Sequence, residues 1–215
     1  MDHAQFVAEQ TALATPPLVP EITLHLASDA MPLWHMTEAA LDTRGLPPPF
    51  WAFAWAGGQA VARYILDEPD AVRGLRVLDV GAGCGIGAIA AVKAGALAVD
   101  ANEVDPFAIA AIGLNAAANH VTVRALLGDC LDETPQVDVV LVGDLFYERA
   151  LAERAHRFLV RAANVGAATL IGDPSRTYLP RGALEEVATF AVPTPRALED
   201  AEVKQTSVWR LAKAA

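Results

Sequence analysis

The stretch of this sequence best suited to binding a ligand contains an acidic residue followed by three closely spaced glycines. The apolar residues around Asp79 predict a short buried strand, and residues 86–94, rich in Ala and Ile, predict the helix that follows. Between them stand Gly81, Gly83 and Gly85. Residues without a Cβ can take a positive φ and let backbone N–H groups approach a ligand at a helix N-terminus. The stretch therefore predicts a ligand-binding turn.

The spacing of the glycines and a later carboxylate narrow the kind of ligand. A dinucleotide-binding turn has the spacing G-x-G-x-x-G, and a phosphate loop continues with Lys and Ser or Thr; this chain shows neither. About twenty residues further on, Glu103 and Asp105 follow the next predicted strand, where a ribose-binding carboxylate is expected. Asp105 precedes Pro106 and is better explained as a helix N-cap. Glu103 is therefore the predicted ribose ligand.

The whole pattern D-x-G-x-G-x-G resembles the first motif of class I S-adenosylmethionine-dependent methyltransferases. The resemblance implies that the turn carries the amino-acid part of the cofactor and that Glu103 accepts hydrogen bonds from the ribose hydroxyls. It also implies that Asp129, at the end of the next strand, accepts one from the adenine amino group. An Asp after Gly128 is also typical of an ordinary turn, but the predicted strand order puts Asp129 next to the cofactor, which favours the functional role.

Asp144 and Tyr147 end the strand expected beside the glycine turn, and they resemble the acid-x-x-aromatic signature of several lysine methyltransferases of this fold. Methyl transfer needs a neutral amine, yet a lysine with a pKa of about 10.4 loses its proton at pH 7 at a cost of about 4–5 kcal/mol. A channel walled by Phe146 and Tyr147 would lower that cost by desolvating the cation. Because a carboxylate raises the pKa of a nearby amine, Asp144 is predicted to orient the amine or the cofactor's ammonium group, with general base as the lesser alternative. His35 and His156 are alternative bases by residue type.

Three aromatic residues, Trp51, Phe53 and Trp55, precede a pair of glycines. A cluster this dense usually marks a binding site. An indole can stack on adenine or face a sulfonium, whose charge an aromatic face attracts by about 0.5–2 kcal/mol. Trp51 and Trp55 are therefore predicted cofactor contacts, whereas Phe53 is equally well explained as part of a hydrophobic lid.

Strands and helices alternate from Arg73 onward, which predicts right-handed βαβ units with ligand sites at the carboxyl ends of the strands. Before that point, the sequence predicts a helix over 2–14 and an edge strand over 21–27. The tail predicts a helix from Leu184, a segment broken by prolines, and a strand over 203–212. The predicted fold class is α/β: a doubly wound, mostly parallel seven-stranded sheet, Rossmann-like, with an N-terminal helical extension. Residues 1–72 form the extension and aromatic lid, and 73–215 the cofactor-binding domain.

The composition of the chain limits the kinds of partner it can bind. With 16 Lys and Arg against 26 Asp and Glu, the net charge of −10 repels a phosphate backbone, so a basic protein partner is favoured over nucleic acid. No apolar run is long enough to span a membrane, and the first residues resemble neither a signal nor a transit peptide, which predicts a cytoplasmic protein. Cys84 and Cys130 are better explained as small buried thiols than as redox groups. No metal site is predicted.

A more specific resemblance covers nearly the whole chain. Trp34 and four segments together resemble the bacterial members of the electron-transfer flavoprotein β-subunit lysine methyltransferase family; the segments are residues 48–59, 101–107, 143–148 and 172–178. This implies an S-adenosylmethionine-dependent protein-lysine N-methyltransferase acting on the flavoprotein β-subunit, with a ribosomal protein as a further substrate left open. The family carries Asp where this chain has Glu103. The alternatives are a small-molecule N-methyltransferase and a non-catalytic S-adenosylmethionine-binding module.

The motifs and the resemblance together assign roles to individual residues. Asp144, Phe146 and Tyr147 are the catalytic assignments, and Trp34, Asp173, Arg176 and Tyr178 the substrate-binding ones. The cofactor-binding assignments, in addition to Asp144, are Trp51, Trp55, Gln59, Asp79, Gly81, Ala82, Gly83, Gly85, Glu103, Asp129 and Cys130.

Overall fold

The computed structural model describes residues 2–27, 48–194 and 201–212. The helices within them are α1 (His3–Gln10), α2 (Ala56–Asp67), α3 (Ile86–Lys93), α4 (Pro106–Ala118) and α5 (Arg149–Asn164). The strands are β1 (Ala12–Ala14), β2 (Leu24–Leu26), β3 (Arg76–Val80), β4 (Ala98–Glu103), β5 (Arg124–Leu127), β6 (Val139–Gly143), β7 (Ala168–Asp173), β8 (Leu184–Pro193) and β9 (Val203–Leu211). Short 3₁₀ turns occupy Phe50–Ala52, Pro69–Ala71 and Arg181–Ala183.

Seven of these strands form one sheet in the order β5-β4-β3-β6-β7-β9-β8. The first five are parallel, and β9 and β8 add an antiparallel hairpin at one edge. The chain runs outward from β3 to β5 and then returns to place β6 on the other side of β3. Ligands of open α/β sheets bind at such a reversal, outside the carboxyl ends of the strands. The predicted α/β sheet is confirmed, and the site is expected above β3 and β6.

Side chains alternate between the two faces of the sheet, and each face has its own hydrophobic core. In β6, Val139 and Leu141 pack in the cluster that includes α2 and α3, whereas Val140 and Val142 pack in the cluster that includes α5. Every one of these four is at most 1% exposed. A central parallel strand is covered on both faces and is therefore apolar along its whole length.

The N-terminal end of α2 lies directly on the carboxyl ends of β6 and β7. A Cβ added to Gly172 would lie 2.0 Å from the carbonyl oxygen of Gly57, and one added to Gly143 would lie 2.8 Å from the amide nitrogen of Gly58. The backbones approach this closely because each side contributes glycine. Helix α2 is therefore part of the wall above the sheet, and the boundary predicted at residue 72 stays a prediction.

The N-terminal segment packs on α4. Val7 of α1 is fully buried in a cluster with Trp51, Phe53 and Phe107, and the β1–β2 hairpin follows α1. The helix predicted over 2–14 ends earlier, at Gln10. The backbone is extended from Thr11 onward, and β1 pairs with β2. No helix among the described residues is long and apolar enough to cross a membrane.

One predicted element is wrong in type. The sequence predicts a helix from Leu184, but residues Leu184–Pro193 form β8, which pairs antiparallel with nearly all of β9. Local propensity over this stretch is weak, and the backbone pairing with β9 decides its structure. Pro193 is tolerated because β8 is the edge strand.

Candidate active site

A cavity of about 690 Å³ opens at the carboxyl ends of β3, β4 and β6. This volume lies within the usual range for small-molecule sites. Residues from the glycine turn, from three strand ends and from the aromatic segment line it together. Of the predicted residues, those that line it are Trp51, Trp55, Gly81, Gly83, Glu103, Asp129, Asp144, Tyr147 and Arg176.

Glu103 ends β4 and is fixed by the glycine turn itself. One carboxylate oxygen, Oε1, accepts a 2.9 Å hydrogen bond from the N–H of Gly83, and Oε2 accepts one of 2.8 Å from Val104. Burial raises the pKa of this carboxyl group, and the backbone hydrogen bonds oppose that rise. The N–H of Asp105 donates a further, longer hydrogen bond of 3.5 Å to Oε2. Oε1 keeps a lone pair that can accept a hydrogen bond from a hydroxyl group in the cavity. The contact between Glu103 and a ribose stays a prediction.

Asp79 lies deeper, under the turn. Its Oδ2 accepts a 2.8 Å hydrogen bond from the N–H of Ala88 in the first turn of α3, and burial raises the pKa of this carboxyl group to about 7. Together with Ala82 and Gly58 it lines a smaller cavity of about 40 Å³. The two cavities share Trp55, Gly81, Gly83, Gly143 and Asp144 along their walls, so the smaller one lies directly beside the larger.

At the opposite end of the cavity, Asp129 is held by an arginine that the sequence did not single out. Arg154 of α5 donates to Asp129 Oδ2 at 2.8 Å and to Asp132 Oδ2 at 2.7 Å, and Asp129 Oδ1 accepts from the N–H of Leu131. The hydrogen bond from Arg154 is the main cause that lowers the pKa of Asp129. Arg154 also lines the cavity. A pairing across 25 residues has no local sequence signal, so the sequence alone does not indicate it.

Asp144 is buried and held by donors from two distant segments. Its Oδ2 accepts hydrogen bonds from the N–H groups of Gly57 and Gly58, in the first turn of α2. Its Oδ1 accepts from Nε of Arg176 at 2.9 Å and from Nη2 at 2.6 Å. Burial raises the pKa of the Asp144 carboxyl group, while Arg176 and the two N–H groups oppose the rise. Four donors converge on this carboxylate, which is therefore suited to positioning and unsuited to proton abstraction.

Aromatic side chains form the mouth of the cavity. Phe50 and Tyr147 are about half exposed, and their rings lie 5.8 Å apart. Trp55 lies beneath them and donates from Nε1 to the carbonyl oxygen of Phe50 at 2.9 Å. Trp51 is 2% exposed and stacks on Phe107, so most of its ring belongs to the core and only its edge reaches the cavity. The mouth can desolvate a long apolar chain that carries a polar end.

Several predicted site residues are not brought to either cavity; they are Gln59, Gly85, Cys130, Phe146, Asp173 and Tyr178. Phe146 is fully buried in the α5 core, so it does not wall the channel as predicted. Strand β6 ends at Gly143 and the backbone at Asp144 is left-handed, with a φ of 59°, so the alternation of side chains along the strand no longer sets where Phe146 points.

The other five residues lie around the site without lining it. Gln59 donates to the carbonyl oxygen of Ala54, and Asp173 accepts from the N–H of Arg176 at 2.6 Å. Tyr178 lies under the guanidinium of Arg149. Burial raises the pKa of the thiols of Cys84 and Cys130 to about 12 and about 11, which makes both poor nucleophiles.

Three residues singled out in the sequence lie elsewhere in the chain. Trp34 and His35 lie outside the described residues. His156 is on α5 and lines neither cavity. Within the described ranges, no group of three or more His, Cys, Asp and Glu side chains is arranged to hold a metal ion.

The observed groups fit S-adenosylmethionine. Glu103 and Asp129 line the larger cavity, Asp79 lines the smaller one, and a Cβ at Gly83 would meet no atom within 4 Å. The ribose hydroxyls, the adenine amino group and the ammonium group of the cofactor are the donors that three such carboxylates could accept from.

Known proteins similar to this chain agree with the geometry. The family model described as ribosomal protein L11 methyltransferase (PrmA) matches residues 64–171, which is half of the chain. The electron transfer flavoprotein beta subunit lysine methyltransferase of Danio rerio is 37% identical over 217 residues, covering 97% of this chain and 83% of that protein. The chain belongs to this lysine methyltransferase family. The family member from Homo sapiens is 36% identical, and the alignment covers 95% of this chain and 80% of the human protein.

A solved structure shows the same fold. The 16S rRNA N2 G1207 methyltransferase (RsmC) of T. thermophilus, in complex with AdoMet and guanosine, superposes with a TM-score of 0.57 and 19% identity, over 95% of this chain and 50% of that one. The family predicted from the sequence is therefore confirmed, as are the class I fold and the class of enzyme, an S-adenosylmethionine-dependent methyltransferase.

The turn at Gly83 provides a first test of the site. Its φ is 54°, and a Cβ there would meet no atom within 4 Å, so Gly83→Val would place a branched side chain in the space the cofactor needs. The left-handed backbone costs a side chain about 1–2 kcal/mol. In addition to this loss of stability, we expect the affinity for the cofactor, measured by titration calorimetry, to fall at least tenfold.

Gly166→Val is the matched control, since Gly166 also has a positive φ, of 92°, with open space around its Cβ, but lies in the turn between α5 and β7. It should show the same loss of stability and unchanged affinity. If both variants bound the cofactor as the wild type does, Gly83 would not face it.

Proposed function

We propose that this protein transfers methyl groups from S-adenosylmethionine to lysine side chains of the β-subunit of an electron transfer flavoprotein. The observation that carries the proposal is identity of 36–37% over nearly the whole chain to relatives named for this activity. The cavity supports it, because carboxylates suited to the cofactor and an aromatic mouth suited to a lysine share one space.

S-adenosylmethionine, when bound, would supply an electrophilic methyl group, which the lone pair of a lysine Nζ would take as the C–S bond electrons pass to sulfur. The protein's residues must hold the two reactants in line and keep water out. Glu103 and Asp129 are placed to anchor the nucleoside, and the closely packed α2 closes the space over Asp144. Phe50 and Tyr147 surround the lysine's methylene chain and desolvate its amine, which favours the neutral form.

Asp144 acts in this scheme as a positioning residue. Its carboxylate ties the first turn of α2 to Arg176, and so it fixes the floor of the channel. The proton of the ammonium group passes to solvent as the amine enters the apolar mouth, since the described donors around Asp144 already occupy that carboxylate.

A ribosomal protein is the second candidate substrate, favoured by the family model that matches residues 64–171. That match begins within α2 and covers the strands that hold the cofactor, but it leaves out Phe50 and Trp55 at the mouth. The mouth is where a substrate side chain enters, so the flavoprotein remains the first choice.

The test is methylation of purified proteins with labelled S-adenosylmethionine, followed by mass spectrometry of the products. We expect label on lysines of the flavoprotein β-subunit, and none after Glu103→Ala, which removes the ribose contact. Label on ribosomal protein L11 alone would favour the second candidate. A labelled small molecule from a protein-free extract, with no labelled protein, would overturn the proposal.

A further inference from the structure

The charge of Arg176 is the feature of the active site that the scheme above leaves without a chemical role. We propose that Arg176 keeps the incoming lysine amine in its neutral, nucleophilic form by holding a fixed positive charge beside it. The proposal rests on lysine methylation as the function and gives Arg176, which the sequence assigns only to substrate binding, a specific electrostatic role in it.

The geometry places this charge where the amine must arrive. Two nitrogens of the guanidinium lie 2.9 and 2.6 Å from Asp144 Oδ1, and its carbon lies 5.9 Å from the centre of the Trp55 ring. The Arg176 side chain is 20% exposed and lines the same cavity as Tyr147. A guanidinium does not lose its proton in proteins, so this charge is constant at every working pH.

The other charged groups explain why a cation is needed here. Asp144 faces the cavity, and Asp173 lies behind Asp144 at the end of β7. Asp173 is fully buried, and one of its carboxylate oxygens has no hydrogen-bond partner among the described residues. Glu103 and Glu148 lie on the walls. Carboxylates alone would stabilise the ammonium form of a lysine and so withhold its lone pair. The positive charge of the guanidinium offsets the negative charge of these carboxylates, and a neighbouring cation is an established way to activate an amine.

Among the described residues, the titratable groups that face Arg176 are Asp144, Asp173 and Tyr147. Burial raises the pKa of the Asp144 carboxyl group and Arg176 opposes that rise, so the double variant Asp144→Asn with Arg176→Gln also removes this group from the titration. Burial raises the pKa of Asp173 to about 6, which leaves it ionised in an assay above pH 7. Burial also raises the pKa of the Tyr147 hydroxyl above its ordinary value, so the ring stays neutral through most of the range. A change in the pH dependence of methylation therefore reports the amine.

The experiment is single-turnover methylation of the purified flavoprotein between pH 7 and 10, with wild type, Arg176→Gln, Arg176→Lys and Arg149→Gln. Removing one charge at several ångströms in a partly buried site should move the pH midpoint of the rate upward by about one unit. Arg176→Gln should then lose about tenfold more rate at pH 7 than at pH 10. Arg176→Lys keeps the charge and should keep the wild-type profile.

Arg149→Gln is the matched control because Arg149 lies at the rim, over Tyr178, without contacting Asp144. Its profile should coincide with that of the wild type. If Arg176→Gln does not fold, the double variant Asp144→Asn with Arg176→Gln replaces it: with both charges gone, its pH midpoint should return close to the wild-type value at a lower overall rate.

Coincident normalised profiles for wild type and Arg176→Gln would refute the proposal, and so would a double variant with a midpoint far from the wild type's. An Arg176→Gln enzyme faster than wild type at pH 7 would show that Arg176 blocks entry, which also overturns it. A wild type that labels no lysine at any pH defeats the proposed function itself. Labelled lysine with an unshifted midpoint defeats only the role of Arg176.

Discussion

Asp144→Asn should lower lysine methylation by at least about 100-fold at every pH from 7 to 10 and reduce the free energy of unfolding by about 3 kcal/mol. The substitution keeps the shape but removes the charge that Arg176 and the first turn of α2 share. Arg176 would be left largely buried without its counter-ion, which is the costly way to break such a pair. Single-turnover rates and denaturant unfolding measure the two effects.

The control for this substitution is Asp138→Asn, which breaks another two-pronged pair with an arginine. Asp138 binds Arg76 at 2.8 Å, at the opposite end of β3 and on the surface. Exposed pairs contribute little to stability, so this variant should fold and methylate much as the wild type does. Near-complete recovery of Asp144→Asn at pH 10 would contradict a positioning role, because it would mean that Asp144 acts as the base.

Gly172→Ala should destabilise the protein by about 3 kcal/mol or more and abolish activity with it. The added Cβ would lie 2.0 Å from the carbonyl oxygen of Gly57 and 2.8 Å from a methyl group of Val61. Both belong to α2, whose backbone cannot move aside without pulling Gly57 and Gly58 from Asp144. The measurement is the free energy of unfolding together with the methylation rate.

Gly113→Ala serves as the comparison, since a Cβ at Gly113 meets nothing within 4 Å and the residue lies in the exposed face of α4. Replacing a helical glycine by alanine typically stabilises by about 0.5–1 kcal/mol. A Gly172→Ala variant as stable as the wild type would show that α2 does not pack on β7 as closely as the structure has it.

Much of the site is determined by the sequence because it is local. Asp79, the glycines and Glu103 stand at strand ends, and an alternation of strands and helices brings strand ends to one edge whatever the details of packing. The same holds for Tyr147 and Trp55, which reach the cavity from segments with a strong local signal. Glycine spacing, apolar runs and proline positions are properties of neighbouring residues, and these suffice for the fold class and for most of the cofactor edge.

Tertiary structure alone decided the rest. Nothing local shows that Asp144 pairs with Arg176, 32 residues later, and with the first turn of α2, 87 residues earlier. Phe146 belongs to the core because it packs against the buried side of α5, and Leu184–Pro193 is a strand because β9 offers it hydrogen bonds. In each case, groups far apart in the chain satisfy one another's charge, volume or backbone hydrogen bonds, and the free energy of those contacts exceeds the weak preferences of the local sequence.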